Sequence, residues 1–317
     1  MALLITGVAG FIASHVAVKM VNLYPKMQVV GIDKISYCST VKNFKAITNS
    51  PNWHFYPVNL LSEDEMENIF KIHKITGVMH FAAESHVCNS FKNSIEFTKN
   101  NVLGTHILLE LAKKFLVTRF IHVSTDETYG SKNNISTEDT ILDPTNPYAA
   151  TKAAAEHLVK SYYHSFKLPI IITRGNNVYG PQQYPEKVIP RFITNLLNGL
   201  PLTIQGSGLQ RRSFLYIDDV VDAFMILWQK GVVGEIYNIG SEKEYTILDV
   251  AEQCISLVSS KQEIKYGEDR PFNDHRYFIS SDKLKALGWT PKISFDEGLK
   301  LTYQWYNWLE KDYWTAS

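Results

Sequence analysis

Short apolar runs alternate along the first half of the chain with longer segments whose apolar residues recur at helical spacing. This alternation predicts βαβ units and therefore an α/β fold with a parallel sheet. The predicted strands are Ala2–Thr6, Gln28–Ile32, Trp53–Pro57, Gly77–Phe81, Arg119–Ser124 and Pro169–Thr173, and the predicted helices are Phe11–Leu23, Glu63–His73, Ile95–Phe115 and Tyr148–Phe166.

The pattern changes after about Arg174, where prolines and glycines become frequent and indicate a loop-rich region. A further strand is predicted at Gly234–Ile239 and a further helix at Asp249–Val258. We therefore predict a doubly wound domain over residues 1–175, to which a segment at about 215–240 returns. A smaller, loop-rich C-terminal lobe is expected over 176–214 and 241–317.

Composition narrows the possible partners and the compartment. Apolar residues make up 45% of the chain, and Lys plus Arg balance Asp plus Glu at 32 each, so charge indicates neither a nucleic-acid nor a membrane partner. Cys38, Cys88 and Cys254 are scattered without metal-ligand spacing, so we predict no metal site and a reducing compartment. The apolar start is too short for a signal sequence, and no stretch approaches the roughly 20 apolar residues of a membrane span. A cytoplasmic location is predicted.

The first predicted strand runs into a glycine-rich turn, Gly7 to Ala13, that opens a helix. Taken alone, it is equally an ordinary strand-to-helix turn. Asp33 ends the second strand 20 residues past Ala13, where a carboxylate binds the adenosine ribose of a dinucleotide. The turn and this spacing predict a Rossmann-like domain that binds NAD, because Asp33 would repel the 2′-phosphate of NADP. The predicted cofactor residues are Gly7, Gly10, Phe11, Ile12, Asp33, Lys34, Asn59, Leu60, Ala82, Ala83, Ser124, Tyr148 and Lys152; Asn59 is equally a loop cap.

Five residues are candidates for catalysis. Thr125, Asp126 and Glu127 end the fifth predicted strand, and Tyr148 and Lys152 lie four apart on one helix face. The Lys152 cation is expected to lower the pKa of the Tyr148 phenol. A carboxylate pair beside a phenol base indicates an enzyme that removes more than one proton. Alternatively, Asp126 and Glu127 are a helix cap or solvated loop charges.

The Tyr-x-x-x-Lys pattern occurs a second time, at Tyr163 and Lys167. The two tyrosines are 15 residues apart, about 22 Å along a helix, so both cannot serve one cofactor. Tyr148 is preferred because Thr125 lies at a strand end shortly before it, where its hydroxyl can bond the same substrate oxygen.

Together, the glycine turn with Asp33 and the Tyr148–Lys152 pair resemble an extended short-chain dehydrogenase/reductase. Within that family, Thr125-Asp126-Glu127 resembles the nucleotide-sugar 4,6-dehydratases, as do the runs 82–87, 179–181, 185–187 and 269–271. The run from Thr173 to Pro181 is more similar to the UDP-glucose dehydratases of plants than to bacterial dTDP-glucose enzymes.

This resemblance implies a mechanism for the catalytic residues. Tyr148 takes the proton of the sugar 4-hydroxyl while hydride leaves carbon 4 for NAD. Glu127 then removes the proton of carbon 5, and Asp126 protonates the departing 6-hydroxyl, which leaves as water. Hydride returns to carbon 6, and Glu127 reprotonates carbon 5. These roles require Asp126 to be protonated and Glu127 to be ionised.

The resemblance also implies the residues that hold the substrate. Cations are needed for the diphosphate, and guanidinium binds phosphate bidentately. The implied set is Ser85, His86, Asn177, Glu186, Lys187, Arg212, Arg270 and Tyr277, although either arginine alone is equally a surface residue. Asn101 resembles a helix position that supports the active site, or is a satisfied buried amide.

The family further implies a homodimer with a four-helix interface near Ile107–Leu116 and Ala149–Tyr162, where packing within one chain is the alternative. The rival functions are dTDP-glucose dehydration, nucleotide-sugar 4-epimerisation or decarboxylation, and a non-catalytic NAD-binding role.

Overall fold

A computed structural model describes residues 1–315, which are built around a seven-stranded parallel sheet. Its order, β10-β6-β5-β4-β1-β2-β3, reverses direction between β1 and β4, as in a doubly wound fold. The predicted fold class is confirmed. The strands of this sheet are β1 (Ala2–Thr6), β2 (Gln28–Ile32), β3 (Trp53–Tyr56), β4 (Gly77–His80), β5 (Arg119–Thr125), β6 (Ile170–Gly175) and β10 (Ile236–Ile239).

Helices cover both faces of the sheet, because its strands present apolar side chains to both sides. Along β1, Leu3 and Ile5 belong to one buried cluster while Ala2 and Leu4 belong to the other. The helices are α1 (Phe11–Leu23), α2 (Glu63–His73), α3 (Val87–Lys92), α4 (Ser94–Phe97), α5 (Gly104–Lys114), α6 (Pro147–Phe166), α7 (Val188–Leu197), α8 (Ile217–Lys230), α9 (Ile247–Val258), α10 (Asp282–Lys285) and α11 (Phe295–Asn307). Within residues 1–315, no helix is long and apolar enough to cross a membrane.

The second half of the chain contains more regular structure than the sequence predicts. A three-stranded sheet is formed by β7 (Asn177–Tyr179), β9 (Arg211–Tyr216) and β11 (Glu244–Thr246), and a two-stranded one by β8 (Leu202–Gln205) and β12 (Ile264–Gly267). Their short strands carry too little alternation to stand out from loops. The segment predicted to return to the first domain contains α8 and β10, and β10 pairs with β6. The division into two domains stays a prediction.

The helix predicted over Ile95–Phe115 is present with a π-helical segment, Thr98–Leu103, between α4 and α5. Asn101 lies in this segment and is buried. Its amide accepts the N–H of Glu84 at 2.8 Å, and it donates to the Glu84 carbonyl and to the Thr151 hydroxyl, each at 3.0 Å. Asn101 is therefore a satisfied buried amide that also ties the loop after β4 to α6, so the two interpretations of this residue are compatible.

Candidate active site

The carboxyl ends of the central strands open into one cleft, which is where parallel α/β sheets bind ligands. All the predicted cofactor and catalytic residues line it, although they are distributed over α1, β5, α6, the short 3₁₀ helix after β5 and the loops that follow β1, β2, β3 and β4. Of the predicted substrate residues, Ser85, Asn177, Glu186 and Lys187 line the cleft, whereas His86, Arg212, Arg270 and Tyr277 are outside its lining.

The glycine turn packs closely against the loop that follows β4. Gly7 has φ +71°, and a Cβ there would lie 2.8 Å from backbone atoms of Ala82, so a larger residue cannot be accommodated without movement. Within the described residues, no side chain caps the N-terminus of α1 at Gly10. The free first-turn N–H groups and the helix dipole fit a pyrophosphate. The turn is thus compatible with a dinucleotide.

Asp33, at the end of β2, is fixed by backbone donors. Its carboxylate accepts the N–H of Ala9 at 3.0 Å and that of Ile35 at 2.8 Å, and burial raises its pKa above the ordinary range. The neighbouring Lys34 pairs with Glu84 at 2.7 Å. A fixed carboxylate beside the glycine turn fits the ribose hydroxyls of an NAD adenosine.

Asn59 combines the two interpretations that the sequence leaves open. Its side-chain oxygen accepts the N–H of Leu61 at 3.0 Å, so it caps a loop. It also lines the cleft and is therefore in a position to contact a cofactor.

Tyr148 and Lys152 are both buried on α6 and line the cleft. Burial raises the pKa of Tyr148, Glu127 raises it further, and a hydrogen bond with Thr125 lowers it. The Lys152 ammonium donates to the Val123 carbonyl at 2.6 Å, and burial lowers its pKa to about 8. The predicted lowering of the Tyr148 pKa by Lys152 is therefore wrong for the protein alone, because burial, Glu127 and Asp126 raise this pKa and Lys152 is not among the groups that shift it.

The second Tyr-x-x-x-Lys pair lies elsewhere. Lys167 is exposed at the C-terminal cap of α6, where its ammonium donates to the His164 carbonyl. The Tyr163 ring packs over Gly234, since a Cβ at that glycine would meet it at 2.6 Å. Neither residue lines the cleft formed by the described residues, which agrees with the preference for Tyr148.

Asp126 is buried and held in a defined orientation. Its carboxyl accepts a 2.6 Å hydrogen bond from the Asn176 amide and a 3.2 Å bond from the Thr125 hydroxyl. Burial, together with the Glu127 charge, raises the pKa of Asp126 to about 7. A carboxyl group of this pKa is protonated in part of the population near neutral pH and can act as a general acid.

Glu127 accepts a 3.2 Å hydrogen bond from the Asn146 amide, whose oxygen caps α6 by accepting the N–H of Ala149 at 2.9 Å. Burial raises the pKa of Glu127, while Arg212 and Asn146 lower it. Sequence reasoning missed both Asn146 and Asn176. Asn146 could have been recognised as a helix cap, since it precedes the proline that starts the helix. Asn176 could not have been linked to Asp126 from local sequence, since fifty residues separate the two.

A cationic cluster surrounds His86. Lys187, Arg270, Arg191 and Lys92 all act on this imidazole, whose pKa falls to about 3, chiefly through burial. The Nδ1 atom of His86 lies 3.3 Å from the Glu186 carboxylate. The sequence prediction missed Arg191 and Lys92, although Arg191 lies one helical turn after Lys187. A neutral imidazole among four cations suits a dianionic group.

Arg212 is buried close enough to the carboxyl groups of Asp126 and Glu127 to act on both. Its guanidinium donates to the carbonyls of Arg211 and Asp274, each at 2.8 Å, and lies 4.5 Å from the Tyr277 ring centre. The Tyr277 hydroxyl in turn donates to Asp274. Arg212 lowers the pKa of Asp126 and of Glu127, so in this structure it acts on the acid pair. Its predicted role as a diphosphate ligand stays a prediction.

The cleft of this doubly wound sheet combines a glycine turn, a buried Tyr–Lys pair and two adjacent carboxyl groups. Together these features are typical of an enzyme that uses a dinucleotide cofactor at a carbon bearing a hydroxyl group. The family model for GDP-mannose 4,6 dehydratase matches residues 4–302. A dTDP-D-glucose 4,6-dehydratase of Dictyostelium discoideum is 45% identical, with 98% of this chain and 82% of that protein covered. The chain belongs to the nucleotide-sugar 4,6-dehydratases of the extended short-chain dehydrogenase/reductase family, as the sequence predicts.

Two further relatives are a plant enzyme named for UDP-glucose and a solved bacterial structure of an enzyme named for dTDP-glucose. A trifunctional UDP-glucose 4,6-dehydratase of Arabidopsis thaliana, which also carries epimerase and reductase activities, is 50% identical over 96% of this chain. The chain spans 47% of that protein's length. A crystal structure of a Bacillus anthracis dTDP-glucose 4,6-dehydratase in complex with NAD is 40% identical, with a TM-score of 0.90 and 96% of each chain covered. NAD in that solved relative agrees with the predicted cofactor.

Proposed function

We propose that this chain dehydrates UDP-glucose to the 4-keto-6-deoxy sugar with bound NAD. The observation that carries the proposal is the buried Asp126, whose pKa of about 7 leaves it a proton to give, next to Glu127 and in the same cleft as Tyr148. A simple oxidoreductase would need Tyr148 and Lys152 but has no use for this acid pair.

Each residue has a separate task in this reaction. Bound NAD supplies a reversible hydride acceptor for carbon 4, and Gly7 and Asp33 are the residues expected to hold it. Tyr148 in its phenolate form accepts the proton of the 4-hydroxyl, and the Thr125 hydroxyl orients that oxygen. Burial and Glu127 disfavour this form in the protein alone, and the positive charge of bound NAD would favour it. Because a 4-keto group acidifies carbon 5, Glu127 can then remove a proton there while Asp126 protonates the leaving 6-hydroxyl, which departs as water. Glu127 returns its proton to carbon 5 when the hydride is returned to carbon 6.

The two adjacent carboxyl groups are suited to opposite roles because their surroundings differ. Asp126 is the more buried, and the Glu127 charge further favours its protonated form. Burial raises the pKa of Glu127 as well, but Arg212, Asn146 and Lys187 oppose that rise by stabilising its anion. Neighbouring groups whose surroundings differ in this way can serve as an acid–base pair.

UDP is proposed as the nucleotide because the run from Thr173 to Pro181 resembles the plant UDP-glucose enzymes, whereas the relatives include dehydratases of both nucleotide types. The test is to assay the purified protein with UDP-glucose and with dTDP-glucose, following the near-ultraviolet absorbance of the 4-keto product in alkali. We expect kcat/KM to favour UDP-glucose by roughly tenfold or more, as a selective pocket does. The opposite preference would reassign the nucleotide, and no keto product from either sugar would refute dehydration.

The same assay separates dehydration from the rival functions. A 4-epimerase gives a hexose without the alkaline absorbance. A decarboxylase gives no keto product from either glucose nucleotide and releases carbon dioxide only when a nucleotide-linked uronic acid is supplied. A non-catalytic NAD-binding protein gives no product with either nucleotide sugar.

We also propose that the chain forms a homodimer through α5 and α6. Ala150, Ala154, His157 and Ser161 form an exposed stripe of mostly small residues along α6, beside the exposed Leu103 before α5. Ala154→Arg is expected to give monomers in light scattering, whereas Glu252→Arg on the exposed face of α9 leaves the oligomer unchanged. The cytoplasmic location stays a prediction.

A further inference from the structure

The loop after β2 is held in a strained conformation at the mouth of the cleft. Ile35 has φ +50°, which is unfavourable for a β-branched residue. Hydrogen bonds maintain it: Asp33 accepts the Ile35 N–H at 2.8 Å, and the Ser39 hydroxyl accepts the Ser36 N–H at 2.8 Å. The carboxylate expected to hold the ribose therefore also shapes this loop.

Tyr37, at the tip of this loop, connects it to the opposite wall of the cleft. Its hydroxyl donates to the Glu186 carboxylate at 2.8 Å and accepts from the Asn89 amide at 3.0 Å. Its ring contacts the edge of Tyr184 at a centroid distance of 5.5 Å. One side chain thus joins the loop after β2 to α3 and to the segment before α7, and Tyr37, Tyr184 and Glu186 all line the cleft.

The far side of this contact is braced by the C-terminal segment. Tyr184 packs edge-on against Trp314 at 5.2 Å, and the Tyr313 hydroxyl donates to Asn43 at 2.9 Å. Asn43 in turn donates to the Ala9 carbonyl in the glycine turn at 2.7 Å. The segment therefore contacts both walls of the cleft.

We propose that Tyr37 and Glu186 form a latch across the cleft that slows the release of NAD, with Tyr37 as a positioning residue. The proposal rests on the proposed function, in which hydride taken from carbon 4 is returned to carbon 6 of the same sugar. Such a reaction needs one cofactor molecule to stay bound throughout. The Tyr37 side chain is half exposed, so its bonds contribute little to the buried core and act mainly between the two walls.

Tyr37→Phe tests the latch because it removes both hydrogen bonds and keeps the ring. The holoenzyme is loaded with labelled NAD, and release is followed after adding excess unlabelled NAD without any sugar. We expect release to be roughly three- to thirtyfold faster, the effect of losing two hydrogen bonds. Tyr266→Phe is the matched control, since Tyr266 is an exposed tyrosine on β12 outside the cleft lining, and its release rate should equal that of the native chain.

A second variant, Trp314→Ala, removes the brace behind Tyr184 and is expected to accelerate release less than Tyr37→Phe. Trp308→Ala is its control, because Trp308 is 84% exposed. Release within twofold of the native rate in both Tyr37→Phe and Trp314→Ala would overturn the latch, as would equal acceleration in the Tyr266→Phe control. Failure of the native chain to bind NAD at all would instead refute the proposed function. The failure of the latch and the failure of the proposed function are therefore distinguishable.

Discussion

The Asn176 amide donates a 2.6 Å hydrogen bond to the carboxyl group of Asp126, joining the end of β6 to the end of β5. This bond favours the ionised carboxylate and so lowers the pKa of Asp126, against the larger opposing effects of burial and Glu127, which leave it at about 7. If Asp126 must be protonated to expel the 6-hydroxyl, turnover should fall as the pH rises through that value.

Asn176→Ala should move this loss of activity to higher pH. Without the amide donor, the ionised form of Asp126 is less stable and its pKa rises, by about one unit for a hydrogen bond to a charged group. The pH–rate profile of dehydration measures the shift. Asn177→Ala is the matched control, because it removes a neighbouring amide that lines the cleft, and we expect it to leave the alkaline limb in place. An unchanged limb in Asn176→Ala would contradict the role of Asp126 as the acid.

Asp126→Asn should separate oxidation from elimination. The substitution preserves shape and removes the transferable proton, so elimination is expected to slow by roughly 10²- to 10⁴-fold while carbon 4 is still oxidised. Single-turnover absorbance should show NADH that forms and persists. Near-normal turnover would show that another group protonates the leaving oxygen.

Tyr148→Phe should slow the oxidation of carbon 4, because it removes the proposed base for the 4-hydroxyl. NADH formation from the sugar is expected to slow by roughly 10²- to 10⁴-fold, with NAD still bound. The control is Tyr163→Phe on the same helix, which changes the second Tyr-x-x-x-Lys pair and should leave NADH formation unaffected. Equal losses in both variants would point to damage of α6 rather than to the base.

Gly7→Ala should prevent NAD binding through a steric clash. The new Cβ would lie 2.8 Å from the backbone of Ala82, and the residue would keep φ +71°. Gly199→Ala is matched in backbone strain, with φ +68°, but its Cβ meets nothing within 4 Å among the described residues. Backbone strain should cost Gly199→Ala about 1 kcal/mol of folding stability, and Gly7→Ala should lose more because it adds the clash with Ala82. Only Gly7→Ala should purify without NAD, and NAD retained by that variant would refute the placement of the cofactor.

The first half of the fold and most of the cleft could be predicted from local patterns along the chain. Six predicted strands and the glycine turn follow from local patterns, namely apolar runs, turn residues and the spacing to Asp33. The choice of Tyr148 over Tyr163 could also be made from the sequence. Helix geometry separates the two tyrosines too widely for both to serve one cofactor, and Thr125 lies at a strand end shortly before Tyr148.

The electrostatics of the site and the contacts between distant parts of the chain depend on tertiary packing. Asn176 reaches Asp126, Asn146 reaches Glu127, and Tyr37 reaches Glu186 through strand order and loop path, which local sequence does not encode. The pKa of Tyr148 was predicted in the wrong direction for the same reason. Helix spacing places Lys152 near the phenol, but desolvation depends on everything packed around it, and that is a property of the whole fold.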